Sequence, residues 1–125
     1  MKKQALLLLM GAVLLAVPAP AAAFAAGSDS AVVTFRRPTL FHNVVLQGTY
    51  VIVHDDAAMA TSDQPCTHIY RYENGKAGEE VAAFRCRPAQ AVKVDRTRFW
   101  TRPSRGLDRV LQFQFAGQTE AHQVL

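Results

Sequence analysis

The segment PCTHIYRYENGKAGEEVAAFRC, residues 65–86, decides the fold. Two runs rich in β-branched and aromatic residues, Cys66–Tyr72 and Val81–Cys86, flank a polar stretch containing Asn74 and Gly75, which is the composition of a β-hairpin. Two registers compete. With the loop centred on Lys76, Cys66 faces Cys86, His68 faces Phe84 and Tyr70 faces Ala82, and opposed Cα atoms at about 4.5–5.5 Å suit a disulfide. A tight turn at Asn74-Gly75, the strongest two-residue hairpin signal in the chain, instead sets Cys66 against Ala83. The disulfide and the tight turn cannot both be right, and the expectation is a Cys66–Cys86 disulfide with a longer loop around residues 74–79. By chain entropy such a closure contributes roughly 3 kcal/mol.

Outward from this hairpin the chain keeps the same character. Candidate strands are Val32–Phe35, Leu40–Leu46, Thr49–His54, Ala91–Asp95, Arg98–Thr101 and Arg109–Phe115, separated by Pro38, Gln47-Gly48, Pro88, Pro103 and Gly106. The run Leu111-Gln112-Phe113-Gln114-Phe115 alternates, so its apolar residues should face a core and its glutamines water. Thr49–Val53 is apolar on both faces, as in a strand covered on each side. No stretch beyond the leader keeps a helical period over three turns, although residues 55–60 suit a single turn. The expected fold is all-β, a small antiparallel sandwich or barrel with one cross-strand disulfide.

The chain of 125 residues opens MKKQALLLLMGAVLLAVPAPAAAFAAGS. Lys2 and Lys3, the apolar run Ala5–Val17, Pro18 and Pro20, and then small residues are the order of a cleaved secretory signal peptide. The apolar run, at about 13 residues, is short of the roughly 20 needed to span a bilayer. Cleavage is expected after Ala25, with Ala23 as the alternative, which gives a signal peptide at 1–25, a flexible linker at 26–31 and a single β domain at 32–125. No membrane span is expected after cleavage, and an exported protein, periplasmic or extracellular, follows. Without Lys2 and Lys3 the 14 basic residues become 12 against 10 acidic ones. So balanced a charge, with no recognisable binding motif, argues against nucleic acid. In an oxidising compartment two cysteines normally pair.

The most ligand-rich stretch is HDDAAMATSDQPCTH, residues 54–68. His54, Asp55, Asp56, Met59 and His68 are the side chains of a candidate copper or zinc site, since envelope copper takes His, Met and carboxylate ligands. The order His, Met, Cys, His is wrong for a blue-copper loop, and a disulfide would remove the thiolate that such a centre needs. No HxxxH or CxxC spacing fixes two ligands on one surface, so the structural reading is favoured: an Asx turn at Asp55-Asp56, Met59 as filler and His68 at the core edge. A second candidate is a basic, aromatic-bearing face, Arg96, Arg98, Trp100, Arg102 and Arg105, for an anionic ligand, with a solvated surface as its ordinary explanation. No GxSxG, HExxH or phosphate loop is present, and Asp55 and Asp56 point apart on an extended chain, so no enzyme is expected.

The segments GTYVIVHDDAAM, PCTHIY, FRCRP and QFAGQTEAHQV together resemble a group of small exported bacterial proteins to which no activity is attached. The resemblance implies an exported domain with paired cysteines, and it draws attention to Glu120 and His122 in what otherwise reads as a frayed tail. The expectation is thus an exported β domain with a binding or structural role towards an envelope or extracellular ligand, without a cofactor. The alternative is a copper or zinc protein built on residues 54–68.

Overall fold

A computed structural model describes residues 28–61 and 63–125, so the expected signal peptide, the first two residues of the linker and Ser62 lie outside the described residues. The elements in chain order are β1 (Ser28–Phe41), β2 (Val44–Asp55), α1 (Asp56–Met59), β3 (Thr67–Glu73), β4 (Lys76–Phe84), β5 (Cys86–Gln90), β6 (Arg98–Ser104), β7 (Leu107–Gln114) and β8 (Glu120–Val124). The fold is all-β, as the sequence predicts. It is one eight-stranded sheet in the order β4-β3-β2-β1-β7-β8-β5, with β6 added on β7. The sheet is mixed: β1 meets β7 in parallel at Thr39 and Leu40, while the other pairs are antiparallel. A two-sheet sandwich is therefore corrected to a single curled sheet. Strands β4 and β5 lie at opposite ends of the hydrogen-bonded order yet are joined by Arg85 alone, so the sheet curls until those ends approach.

The hairpin of β3 and β4 keeps the tight turn and corrects the register expected for a disulfide: His68 faces Ala83 and Tyr70 faces Glu80. Asn74 and Gly75 both have positive φ, 52° and 75°, as a tight primed turn requires, and Glu73 faces Lys76. Two irregularities, one after Ile69 and one after Tyr70, then shift the ladder so that Thr67 faces Phe84. Each adds a residue to the β4 side. Arg85 next breaks the strand, and Cys86 starts β5 against Val124 of β8.

Strand β2 has neighbours on both edges, and Tyr50 through His54 are all buried, which bears out its reading as a covered strand. Its inward residues Tyr50 and Ile52 join Phe35, Phe41, Leu46, Ile69, Phe84, Val110, Phe113 and Phe115 in the core. Ile52 and Ile69 are directly opposed and fully buried, each contributing about 1.5–3 kcal/mol by removal from water.

Four local expectations change. Residues 28–31, expected as linker, are strand, paired with residues 52–55. The expected strand Leu40–Leu46 is interrupted by a turn in which His42 takes φ 57°. The expected strand at residues 91–95 is a connection, and the strand lies earlier, at β5. In β7 Leu111 is exposed while Gln114 is fully buried, because its amide donates to the carbonyls of Val92 and Gln118 and so ties two connections over that end of the strand. Among the described residues no helix is long and apolar enough to cross a membrane.

Candidate metal centre

The inward face of β2 ends in a polar residue. Alternation carries Tyr50 and Ile52 into the core and places His54 next on the same side, opposite Thr67 of β3. The β2 end is tied to the residue before β3 by the Asp55 N–H donating to the Cys66 carbonyl at 2.8 Å, and the Cys66 N–H donates to Phe84 at 3.2 Å. From the other end of the sheet, β5 contributes Cys86 and β8 contributes His122, whose opposite number in β5 is Pro88. The curl closes these two ends on each other, with Cys66, Cys86, His54 and His122 buried in the seam.

Two ring nitrogens converge on one sulfur. His54 Nε2 lies 3.3 Å from Cys86 Sγ and His122 Nδ1 lies 3.7 Å from it. The imidazoles stack with ring centroids 3.8 Å apart, and His122 packs on Phe113 at 5.1 Å. The ligand atoms of His54, Cys86 and His122 all lie within 4.8 Å of one another. Around them the Thr67 hydroxyl donates to Cys86 Sγ at 3.6 Å and the Cys86 N–H donates to Cys66 Sγ at 3.3 Å. Such donors to sulfur are the outer partners that support a thiolate ligand.

Burial decides the protonation states. The His122 imidazole is pushed down to about 4, first by loss of water and then by neighbouring His54. His54 is also lowered by burial, against the opposing pull of Asp56, Asp29 and Glu120. The Cys86 thiol is pushed up to about 12, chiefly by burial and then by its hydrogen bond with Cys66. At neutral pH both rings are uncharged, each with a nitrogen lone pair to offer. Asp56 Oδ1 stands 3.1 Å from His54 Nδ1 and draws that proton, which leaves Nε2 to face the sulfur. The contact is out of line for a full hydrogen bond, and Nδ1 has no other partner.

Cysteine, histidine and aspartate in this sequence also form the connectivity of a thiol nucleophile. Two observations argue against that chemistry. Cys86 is 6% exposed, and burial keeps its thiol protonated while no ion is bound, whereas turnover of an organic substrate needs an accessible thiolate.

The expected sites are redistributed. The Cys66–Cys86 disulfide is corrected: the cysteines are free thiols with sulfurs 3.2 Å apart, beyond the 2.03–2.05 Å of a bond. The fold does not bring the residues of the 54–68 cluster together. His68 faces Val53, so it lies on the opposite face of the sheet from His54, where it pairs with Glu80. Asp55 caps α1, accepting from the N–H groups of Ala57 and Ala58 at 2.9 and 3.2 Å. Met59 ends that turn, and its carbonyl accepts from the Arg85 guanidinium at 3.5 Å. Of the five residues, only His54 and Asp56 come together.

The basic face is spread along β6. Arg98, Trp100 and Arg102 are exposed there, Arg105 takes φ 51° in the β6–β7 turn, and Arg96 lies in the preceding connection, 4.0 Å from Asp95. Trp100 borders two open grooves, one with Leu111, Gln123 and Leu125, the other with Val92, Lys93 and Arg98. Neither groove reaches the buried cluster. His122 is the candidate ligand that local spacing misses, because it lies 36 residues from Cys86 and joins it only through sheet closure. The resemblance carried by its TEAHQV stretch singles it out without tying it to Cys86.

No known family model, curated protein or solved structure matches the chain. The functional reading therefore rests on the geometry alone.

Proposed function

We propose that this is an exported metal-binding domain that holds one copper or zinc ion in the sheet seam through His54, Cys86 and His122. One observation carries the reading: two neutral imidazole nitrogens converge on a single buried sulfur at 3.3 and 3.7 Å. With metal–sulfur bonds near 2.3 Å and metal–nitrogen bonds near 2.0–2.1 Å, adjacent N and S ligands of a tetrahedral ion stand about 3.5 Å apart. The two distances bracket that value. An imidazole pair held neutral by burial suits a metal better than a proton, and the Cys86 proton leaves as the thiolate forms. Histidine with thiolate suits copper(I) and zinc over calcium or magnesium, which take oxygen. Cys66, 3.2 Å from Cys86, lies beside this ligand set and is not part of it.

The sequence of the leader supports a location outside the cytoplasm, where a buried ligand set keeps an ion away from competing solutes. The test is metal content by native mass spectrometry of the reduced mature protein after loading with copper(I) or zinc and desalting. The expected result is one ion per chain in the parent and none in His122→Ala. A folded, fully reduced parent that retains no ion refutes the reading.

A further inference from the structure

We infer that Cys66 and Cys86 form a redox gate on the metal centre, closing as a disulfide that expels the ion. This rests on the metal reading above and adds its regulation. The Cys86 sulfur is shared: it faces His54 Nε2 at 3.3 Å, His122 Nδ1 at 3.7 Å and Cys66 Sγ at 3.2 Å. A sulfur bonded to Cys66 is no longer a thiolate, so metal and disulfide exclude each other at that atom. A disulfide needs about 2.05 Å, so the 3.2 Å separation leaves roughly 1 Å to close, a movement of the two side chains alone.

The backbone suits such a pair. The Cys66 N–H donates to Phe84, the Asp55 N–H donates to the Cys66 carbonyl, and the Cys86 N–H donates to the Cys66 sulfur, so both residues are held at the meeting of β2, β3 and β5. Neither cysteine lies in the β3–β4 ladder, whose last pair is Thr67 with Phe84, while Cys86 pairs with Val124 of β8. Arg85 between them anchors to the Gln64 carbonyl and so ties the two approaches together.

The oxidant is hydrogen peroxide, small enough to reach a buried sulfur, and the Cys86 sulfur is already a thiolate when the ion is bound. That sulfur attacks one peroxide oxygen, the O–O bond breaks, a sulfenic acid forms and hydroxide leaves. The Cys66 sulfur then attacks the Cys86 sulfur, forming the Cys66–Cys86 bond, and the sulfenic oxygen leaves as water with the Cys66 proton. Two electrons pass from the cysteines to the peroxide. The ion leaves, and the neutral imidazoles remain.

The test loads the reduced protein with zinc, adds hydrogen peroxide, and follows intact mass together with zinc release to a chromogenic chelator. The expected result is one zinc released for each chain that loses two hydrogens, full recovery of zinc binding after reduction, and retention of zinc by Cys66→Ser under the same treatment. The inference is overturned if the disulfide forms and zinc stays, if zinc leaves while both thiols remain reduced, or if no disulfide forms. If Cys66→Ser does not load zinc, the parent's ratio of zinc released to disulfide formed still decides. A reduced parent that never loads zinc refutes the proposed function itself and is told apart at the first step.

Discussion

His54 and His122 lie face to face at the buried end of the sheet seam, with ring centroids 3.8 Å apart and almost no solvent exposure. One ring comes from β2 and the other from β8, so the stack exists only when the curled sheet has closed. Two stacked rings cannot both be charged at low cost, and that coupling gives the metal-free protein a pH signature.

The folded His122 titrates near 4 against about 6.5 when unfolded, and His54 is shifted in the same direction. Between these values the unfolded chain binds more protons, so stability rises with pH across the window and is lost as pH falls from about 6.5 towards 4. His122 alone accounts for roughly 3 kcal/mol. Asp29, raised by burial, works the opposite way near the carboxylate range and trims the effect. Urea unfolding of the metal-free protein at a series of pH values measures the slope, and His122→Leu should flatten it.

Substitutions separate the two ligand sets. His68→Ala and Met59→Ala should leave metal stoichiometry unchanged, because His68 pairs with Glu80 on the outer face and Met59 ends α1. His54→Ala and His122→Ala should abolish it. The loss of the partly exposed His68–Glu80 pair should cost at most about 1 kcal/mol. Metal analysis and denaturation of the four variants check both statements.

Gly75 takes φ 75° in the β3–β4 turn, where an added Cβ meets no neighbouring atom. Gly75→Ala should therefore destabilise through backbone strain alone, by about 1–2 kcal/mol, with metal stoichiometry retained. A thermal melt with and without zinc tests this.

Phe113 is fully buried and packs against Phe41, Phe99, Phe115 and His122. Phe113→Ala should cost about 3–5 kcal/mol, a large share of the stability of a small domain. Calorimetry should show either a large fall in Tm or a chain unfolded at 37 °C, with metal binding weakened because His122 loses its support.

Much of the fold is legible from local chemistry. The buried run 50–54 announces β2, and Asn74-Gly75 announces its turn. The β3–β4 bulges carry no composition signal, so an even register appeared to force a choice between the turn and the approach of the cysteines. The candidate metal centre is half legible. His54 and the cysteines stand out by type, but His68 lost its place through the parity of one strand, since neighbouring residues face opposite sides. His122 reaches Cys86 through pairing of β5 with β8, a long-range closure that no spacing encodes.

The most direct test of the central claim is an X-ray absorption spectrum of the zinc-loaded, reduced protein. The account predicts sulfur scattering near 2.3 Å together with nitrogen at about 2.0–2.1 Å showing imidazole multiple scattering. A first shell of oxygen and nitrogen without sulfur would contradict it.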